Sequence, residues 1–346
     1  MPVLRDYLDR LMKKEDLTAE EMKEVTLACF EPETTDTEIS ALLTALKMKG
    51  ETADEIAGMV EVIKSKSELS TLEFDNVMDN CGTGGDRSYS FNISTTAAFV
   101  LAGAGVKVAK HGNRSVSSKT GSADVLEKLG VSLTLNKDET EQMLRENNIA
   151  FLFAPHVHTK LRPFMKVRME LGLPTIFNFI GPLTNPLPLE TQLVGVYDRT
   201  KLETIAASLK RLGRRRALVV NGAGYMDEAS LAGENHLVLL DDGNITRFTL
   251  HPEEVGLPVY PNDLIRGGDA EKNAEIMLSV LNNEPSPYLD TVLLNAGLAL
   301  YANGKADSIK ACIDIARESI ASGAALERLN RLVEFSKSRE QKSEVS

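Results

Sequence analysis

The stretch Asp75-Asn-Val-Met-Asp-Asn-Cys-Gly-Thr-Gly-Gly-Asp86 divides the chain into two kinds of sequence. Asp75 to Asp79, with its apolar Val77 and Met78, reads as a short strand, and it runs directly into the glycine turn Cys81 to Asp86. Asn92-Ile-Ser-Thr-Thr96 follows and opens an Ala-rich helical pattern. Clustered glycines let backbone N–H groups approach a ligand, and a helix N-terminus carrying Ser94, Thr95 and Thr96 offers more donors, so the pair suits a phosphate. A tight turn beside an ordinary N-cap accounts for the same residues. Neither standard nucleotide fingerprint fits: Arg87 occupies the third-glycine position of GxGxxG, and no Gly-Lys-Ser/Thr follows for a P-loop.

Upstream of this junction no segment reads as a strand. Thr18 with Glu21, Thr35 with Glu38 and Thr52 with Glu55 have the spacing of capping boxes, each of which starts a helix. Ile39, Leu42, Leu43, Leu46 and Met48 recur near the helical period after the second, as do Ile56, Met59, Val60 and Ile63 after the third. Residues 1–70 therefore read as a small helical domain. Downstream, strands at Val106–Ala109, Ile149–Ala154, Leu193–Val196 and Ala217–Val220 alternate with helices at Thr95–Ala104, Asp124–Leu129 and Glu139–Glu146. Such alternation gives an α/β domain, residues 71–346, around a mostly parallel sheet. Asn282 to Pro287 reads as a loop, a helical region extends to about Phe335, and the polar tail SKSREQKSEVS is expected to fray.

Composition sets further bounds. With 39 Lys and Arg against 50 Asp and Glu, the net charge of −11 repels nucleic acid and anionic membranes, so an anionic ligand needs a local cationic pocket. The longest apolar stretch, Ala97 to Val106, is about half of the roughly 20 residues a membrane helix needs. The N-terminal segment has no apolar signal core, and the chain is expected in the cytoplasm. Cys29, Cys81 and Cys312 are far apart and read as free thiols.

Two further clusters carry chemistry. Lys110-His-Gly-Asn-Arg-Ser-Val-Ser-Ser-Lys-Thr-Gly-Ser-Ala-Asp124 sets Lys110, His111, Arg114 and Lys119 among hydroxyls and glycines just after a strand. Lysine supplies point charge to phosphates while hydroxyls and amides orient them. A solvated basic loop is the alternative, and His111 reads equally as a base, a donor or a packed ring. Asn221-Gly-Ala-Gly-Tyr-Met-Asp-Glu228 places two adjacent carboxylates on a loosened loop, a pattern that suits magnesium with a diphosphate as co-ligand, or else an acidic helix N-terminus before Ala229 to Ala232. Arg168 lies in the helical pattern Phe164–Leu171, where a surface ion pair is the plain reading.

In this order the motifs CGTGGD, NIST, KHGNRSVSSKTGSAD, TIFNFIGPLTNP, MDEAS, RGGDA and LNAGLALYANGKA span most of the chain, which resembles the anthranilate phosphoribosyltransferase family. That resemblance implies a fold of the nucleoside phosphorylase/phosphoribosyltransferase type, in which a helical segment around 160–175 completes the N-terminal domain. It implies transfer of the phosphoribosyl group of phosphoribosyl pyrophosphate to the amino group of anthranilate, in tryptophan biosynthesis. Gly82, Gly84, Gly85, Asp86, Asn92, Ser94, Thr95, Lys110 and Ser122 would hold phosphoribosyl pyrophosphate; Gly82, Asn113 and Arg168 would face anthranilate. Ser94, Asp227 and Glu228 would carry two magnesium ions, Lys110 and Arg168 would serve catalysis with His111 as a proton acceptor, and two chains would form a homodimer. Pyrimidine nucleoside phosphorylases and non-catalytic nucleic-acid-binding relatives are the alternatives of the same lineage. The chain departs from the family's usual pattern at His158-Thr-Lys-Leu161 and at Pro174.

Overall fold

The computed structural model describes residues 2–115 and 119–345. The N-terminal part is helical: α1 (Pro2–Met12), α2 (Ala19–Ala28), α3 (Asp36–Lys49) and α4 (Ala53–Ser65). All three capping boxes form; in each the threonine hydroxyl accepts from the third-residue N–H while the glutamate accepts from the threonine N–H. Glu55 does more than cap. Buried completely, its carboxylate also accepts from Leu17 N–H at 3.0 Å and pairs with Lys49 at 3.0 Å, so it ties the entry of α2 to the end of α3. A buried carboxylate is tolerable only when so many partners surround it.

Then come β1 (Val77–Gly82), α5 (Ile93–Gly103), β2 (Lys107–Gly112), α6 (Ser122–Lys128), α7 (Lys137–Glu146) and β3 (Ile149–Phe153). A helical crossing follows with α8 (Ala154–Val157), α9 (Arg162–Leu171) and α10 (Phe177–Ile180). The chain returns to the sheet through β4 (Thr191–Gly195), α11 (Leu202–Arg211), β5 (Arg216–Asn221), β6 (Asn235–Asp241) and β7 (Asn244–Leu250). It ends in α12 (Ala270–Leu281), α13 (Pro287–Asn303), α14 (Ile309–Ala321) and α15 (Ala324–Val345).

The sheet has seven strands in the order β3-β2-β1-β4-β5-β6-β7. From β3 to β5 all pairs are parallel; β6 and β7 add an antiparallel hairpin. Alternate residues of the central strands go to opposite cores. Leu193, Leu218 and Val220 face the layer of α5, α13, α14 and α15, while Val194, Ala217 and Val219 face α11 and the helical unit. Phe164 and Val167 of α9, with Ile176 and Phe177, share that second core with Leu42, Leu46, Met59 and Ile63, so sequence-distant helices join the N-terminal ones. Burial on both faces explains why the parallel strands read as short unbroken apolar runs.

One expectation changes, and one alternative drops out. The polar tail does not fray at Phe335: α15 continues to Val345, with buried Ser336 accepting from Ser132 N–H at 2.8 Å and Arg339 bonded to Glu139 at 2.7 Å. Ala229 to Ala232 do not form a helix. The cysteines are free, as their spacing suggests. No described helix is long and apolar enough to cross a membrane.

Candidate active site

Because β1, β2, β4 and β5 are parallel, their carboxyl ends lie along one edge of the sheet, and the loops that leave them converge there. Gly82 and Gly195 stand side by side in the β1–β4 register, and the loop after β5 packs across both. A Cβ at Gly195 would sit 1.6 Å from the Asp227 carbonyl oxygen, and one at Gly82 would sit 2.3 Å from its Oδ2. Only bare backbone lets Asp227 this close to the strand ends.

The glycine loop and the acidic pair thus form one cluster. Gly84 N–H donates to Asp227 Oδ2 at 2.6 Å, made possible by the left-handed backbone of Gly84 and Gly85 (φ +70° and +86°). Ser94 N–H, on the first turn of α5, donates to Glu228 Oε1 at 3.1 Å, and Asp227 N–H points to Asp86 Oδ2 at 3.4 Å. Burial pushes the Asp227 carboxyl well above its ordinary range, with Asp86 and Glu228 adding repulsion against the Gly84 amide. The Glu228 carboxyl is pushed up to about 7, again chiefly by burial, although Lys110 and Ser94 pull it down. Two enclosed carboxylates that repel each other are suited to a hard divalent cation, which would remove both penalties. Among the described residues no group of three or more His, Cys, Asp or Glu side chains closes a metal shell by itself, so water and ligand oxygens would have to complete it.

Lys110 is buried on β2, and its ammonium donates to the Asn80 carbonyl at 2.6 Å. Beneath it Asp79, wholly buried, accepts from the N–H groups of Asn80 (2.8 Å) and His111 (3.3 Å) and from Asn185 Nδ2 (3.0 Å). His111 is buried, its ring edge-on to His158 with centroids 5.3 Å apart. Burial, His158 and Lys110 hold the imidazole far below its ordinary range, so it is neutral, and its Nε2 has no hydrogen-bond partner among the described residues. The supposed four-cation loop therefore splits. Lys110 is enclosed, His111 is uncharged, and Arg114 turns to Asp124 (2.9 Å) and Glu127 (2.8 Å) on α6. Lys119 lines a cavity of about 190 Å³ together with Tyr89, Ser90, Thr120, Arg266 and Asn273. Val116, Ser117 and Ser118 of that loop lie outside the described residues.

Asn113 and Ser122 are joined to each other, Ser122 Oγ accepting from Asn113 N–H at 3.1 Å. Asn92 donates to the Thr120 carbonyl at 3.3 Å, and Thr95 is buried in the first turn of α5. Arg168 stands apart. Half-buried on α9, its guanidinium lies over the Phe177 ring at 4.9 Å and contacts Met165 Sδ at 3.4 Å, and no hydrogen bond or ion pair joins it to the other candidates among the described residues. Burial lowers its pKa, the mark of a cation without a counter-ion. Arg266, which lines the same cavity as Lys119, lies in the RGGDA motif directly after apolar Ile265, and an arginine in that setting of an acidic protein is its sequence signal.

A parallel sheet whose strand ends gather amides, a buried lysine and paired acids is the layout of an enzyme that handles a phosphorylated ligand. Comparison with known proteins narrows this. Residues 74–326 match the model of the glycosyl transferase family a/b domain, and residues 5–67 match that family's helical bundle domain. The chain is 59% identical to the anthranilate phosphoribosyltransferase of Oceanobacillus iheyensis over 334 residues, 96% of this chain and 98% of that one. It is 58% identical to that of Exiguobacterium sibiricum over 329 residues, covering 95% and 97% of the two chains. Among solved structures, anthranilate phosphoribosyltransferase from Thermus thermophilus superposes with a TM-score of 0.90 at 40% identity, covering 95% of this chain and 99% of that one. The Saccharomyces cerevisiae enzyme in complex with PRPP and Mg does so with a TM-score of 0.87 at 27% identity, covering 97% and 98%. The chain belongs to the anthranilate phosphoribosyltransferases of this glycosyl transferase family.

Proposed function

We propose that the chain transfers the 5-phosphoribosyl group of phosphoribosyl pyrophosphate to the amino nitrogen of anthranilate and releases pyrophosphate, and that the strand-end cluster does so with the roles below. The observation that carries this reading is the direct bonding of the glycine loop and the α5 N-terminus to Asp227 and Glu228, which brings phosphate donors and metal-type acids into one place. Gly82, Gly84, Gly85, Asn92, Ser94, Thr95 and Ser122 grip the phosphate and pyrophosphate groups, and Asp86, an acceptor only, shares that site by bonding the Ser88 and Asp227 amides. Asp227 and Glu228, with Ser94, would hold magnesium, which when bound would supply positive charge against that building on the leaving pyrophosphate. The family likeness also supports a second ion, a homodimer, a cytoplasmic location, and a helical unit of residues 1–70 completed by 160–175.

The nitrogen lone pair forms the bond to the anomeric carbon, and the C–O bond to pyrophosphate breaks with its electron pair leaving on pyrophosphate. Lys110, held rigid by the Asn80 carbonyl, stabilises that departing charge without reorganising. Arg168 and Asn113, with Gly82, orient anthranilate; a planar guanidinium can give a carboxylate two parallel hydrogen bonds. The nitrogen sheds one proton as the new bond completes. His111, whose Nε2 has no partner among the described residues, is the proposed acceptor, a weak base because burial holds its pKa far below the ordinary range. Replacing His111 with Ala should slow turnover at saturating substrate; an unchanged kcat removes the proton role.

The decisive test mixes the full chain with magnesium, phosphoribosyl pyrophosphate and anthranilate and follows loss of anthranilate fluorescence. Turnover should stop when the metal is omitted. A nucleoside phosphorylase would instead consume nucleoside and inorganic phosphate, and turnover with that pair alone would overturn the reading.

A further inference from the structure

Asn273 sits on α12, buried at 2% exposure, and has no part in the ligand roles above. Its Oδ1 accepts from Gly268 N–H at 2.7 Å, and its Nδ2 donates to Asn92 Oδ1 at 2.9 Å. Asn92 in turn donates from Nδ2 to the Thr120 carbonyl at 3.3 Å, and the Thr120 hydroxyl donates to the Gly268 carbonyl at 2.9 Å. Four residues from three segments therefore close a ring of hydrogen bonds: the start of α5, the loop between β2 and α6, and the turn before α12.

The turn before α12 is also laced to the loop that follows β1. Phe91 N–H donates to the Ile265 carbonyl at 3.1 Å, and Gly267 N–H donates to the Tyr89 carbonyl at 2.9 Å. Space is tight there. A Cβ at Gly267 would lie 2.6 Å from Asn273 Oδ1 and 2.9 Å from the Phe91 Cα.

A primary amide has a donor end and an acceptor end, so the partner at each end decides which way it faces. Asn92 occupies the N-cap position of α5 yet makes no side-chain cap bond; its amide is committed to Asn273 and Thr120 instead. With Asn273 in place, Asn92 must present Oδ1 to α12 and Nδ2 to the β2–α6 loop. We infer that Asn273 is a positioning residue for phosphoribosyl pyrophosphate: it fixes the Asn92 amide and thereby holds the two phosphate-binding loops in register. This rests on the proposed role of those loops.

The test uses the full chain with Asn273→Ala, Asn273→Asp and Thr120→Val. Asn273→Ala should raise the KM for phosphoribosyl pyrophosphate about tenfold while kcat and the KM for anthranilate stay within about threefold, the size expected for a buried hydrogen-bond partner removed. Asn273→Asp keeps the acceptor for Gly268 but sets a second acceptor against Asn92 Oδ1, so it should do at least as much damage. Thr120→Val, which keeps shape, should raise the same KM. The double variant Asn273→Ala with Thr120→Val should fall short of the product of the single effects, because both break one ring. An unchanged KM in the folded variants overturns the inference. So does a lower melting temperature with equal losses for both substrates, since that is a merely structural role. If Asn273→Ala does not fold, the KM of Thr120→Val decides. Failure of the wild-type chain to turn over these substrates would instead sink the functional reading.

Discussion

Asp227 and Glu228 already hold hydrogen bonds from the loops proposed to grip the phosphates, whereas Arg168 on α9 has an aromatic ring beneath its guanidinium and no carboxylate beside it among the described residues. The α/β side is bonded to itself, with its charge strain arising from acids enclosed together. The arginine on the helical side has no carboxylate partner among the described residues, and burial lowers its pKa. The difference indicates division of labour. On the proposed roles, one side would take a cation and the anion it carries, and the other would keep a cation for a carboxylate.

Breaking the acidic side should have the largest consequence. Asp227→Asn keeps the volume that fits against Gly82 and Gly195 but removes a charge from the proposed metal site. Loss of several kcal/mol of transition-state stabilisation should lower kcat on the order of a thousandfold. A steady-state magnesium titration should also shift to higher concentrations. If the magnesium curve is unchanged, the metal assignment for Asp227 is wrong.

The helical side should respond through binding. Arg168→Ala should raise the KM for anthranilate about tenfold to a hundredfold, as expected when a charge-assisted pair is lost. Arg168→Lys should recover little of this, because an ammonium cannot reproduce the fork and loses the guanidinium's contact over Phe177. The KM for phosphoribosyl pyrophosphate should hardly move in either variant. Equal rises in both constants would mean that Arg168 acts on the whole cleft and not on the carboxylate.

The same contrast explains what could be read from the sequence. Thr18, Thr35 and Thr52 start their helices through bonds three residues long, so the amino acids that decide them are neighbours on the page. Glycine loops at strand ends are equally local. Arg114, by contrast, looks like a phosphate cation until folding brings Asp124 and Glu127 round to it, and no local pattern separates it from Lys110. The hairpin of β6 and β7 went unread although its turn, Asp242-Gly243, has the usual chemistry for a two-residue connection. Its outer strand is largely exposed and lacks the apolar run that marked the others. The end of α15 was hidden for a related reason: its polar composition suggested fraying, while Ser336 and Arg339 secure it through contacts to residues about two hundred positions away. Asn273 is the extreme case, since its meaning lies wholly in partners drawn from other segments.

The smallest expected effect concerns pH, and it sharpens the comparison because only the acidic side should show it. The Glu228 carboxyl titrates near 7 in the folded protein, raised from an ordinary 4.5, and Asp227 is raised too. The folded state thus keeps protons that the unfolded chain has already released. The stability these groups contribute is present in full below the ordinary value and is lost as pH rises through about 7. Magnesium should reverse that loss, because it binds the deprotonated carboxylates of the folded state. In a thermal melt, saturating magnesium should raise the midpoint by about 2–3 °C at about pH 8 and by much less at about pH 5.5. Asp227→Asn should flatten this difference, whereas Arg168→Ala should leave it intact. A magnesium shift that ignores pH, or one that survives in Asp227→Asn, would detach the metal from the enclosed acids.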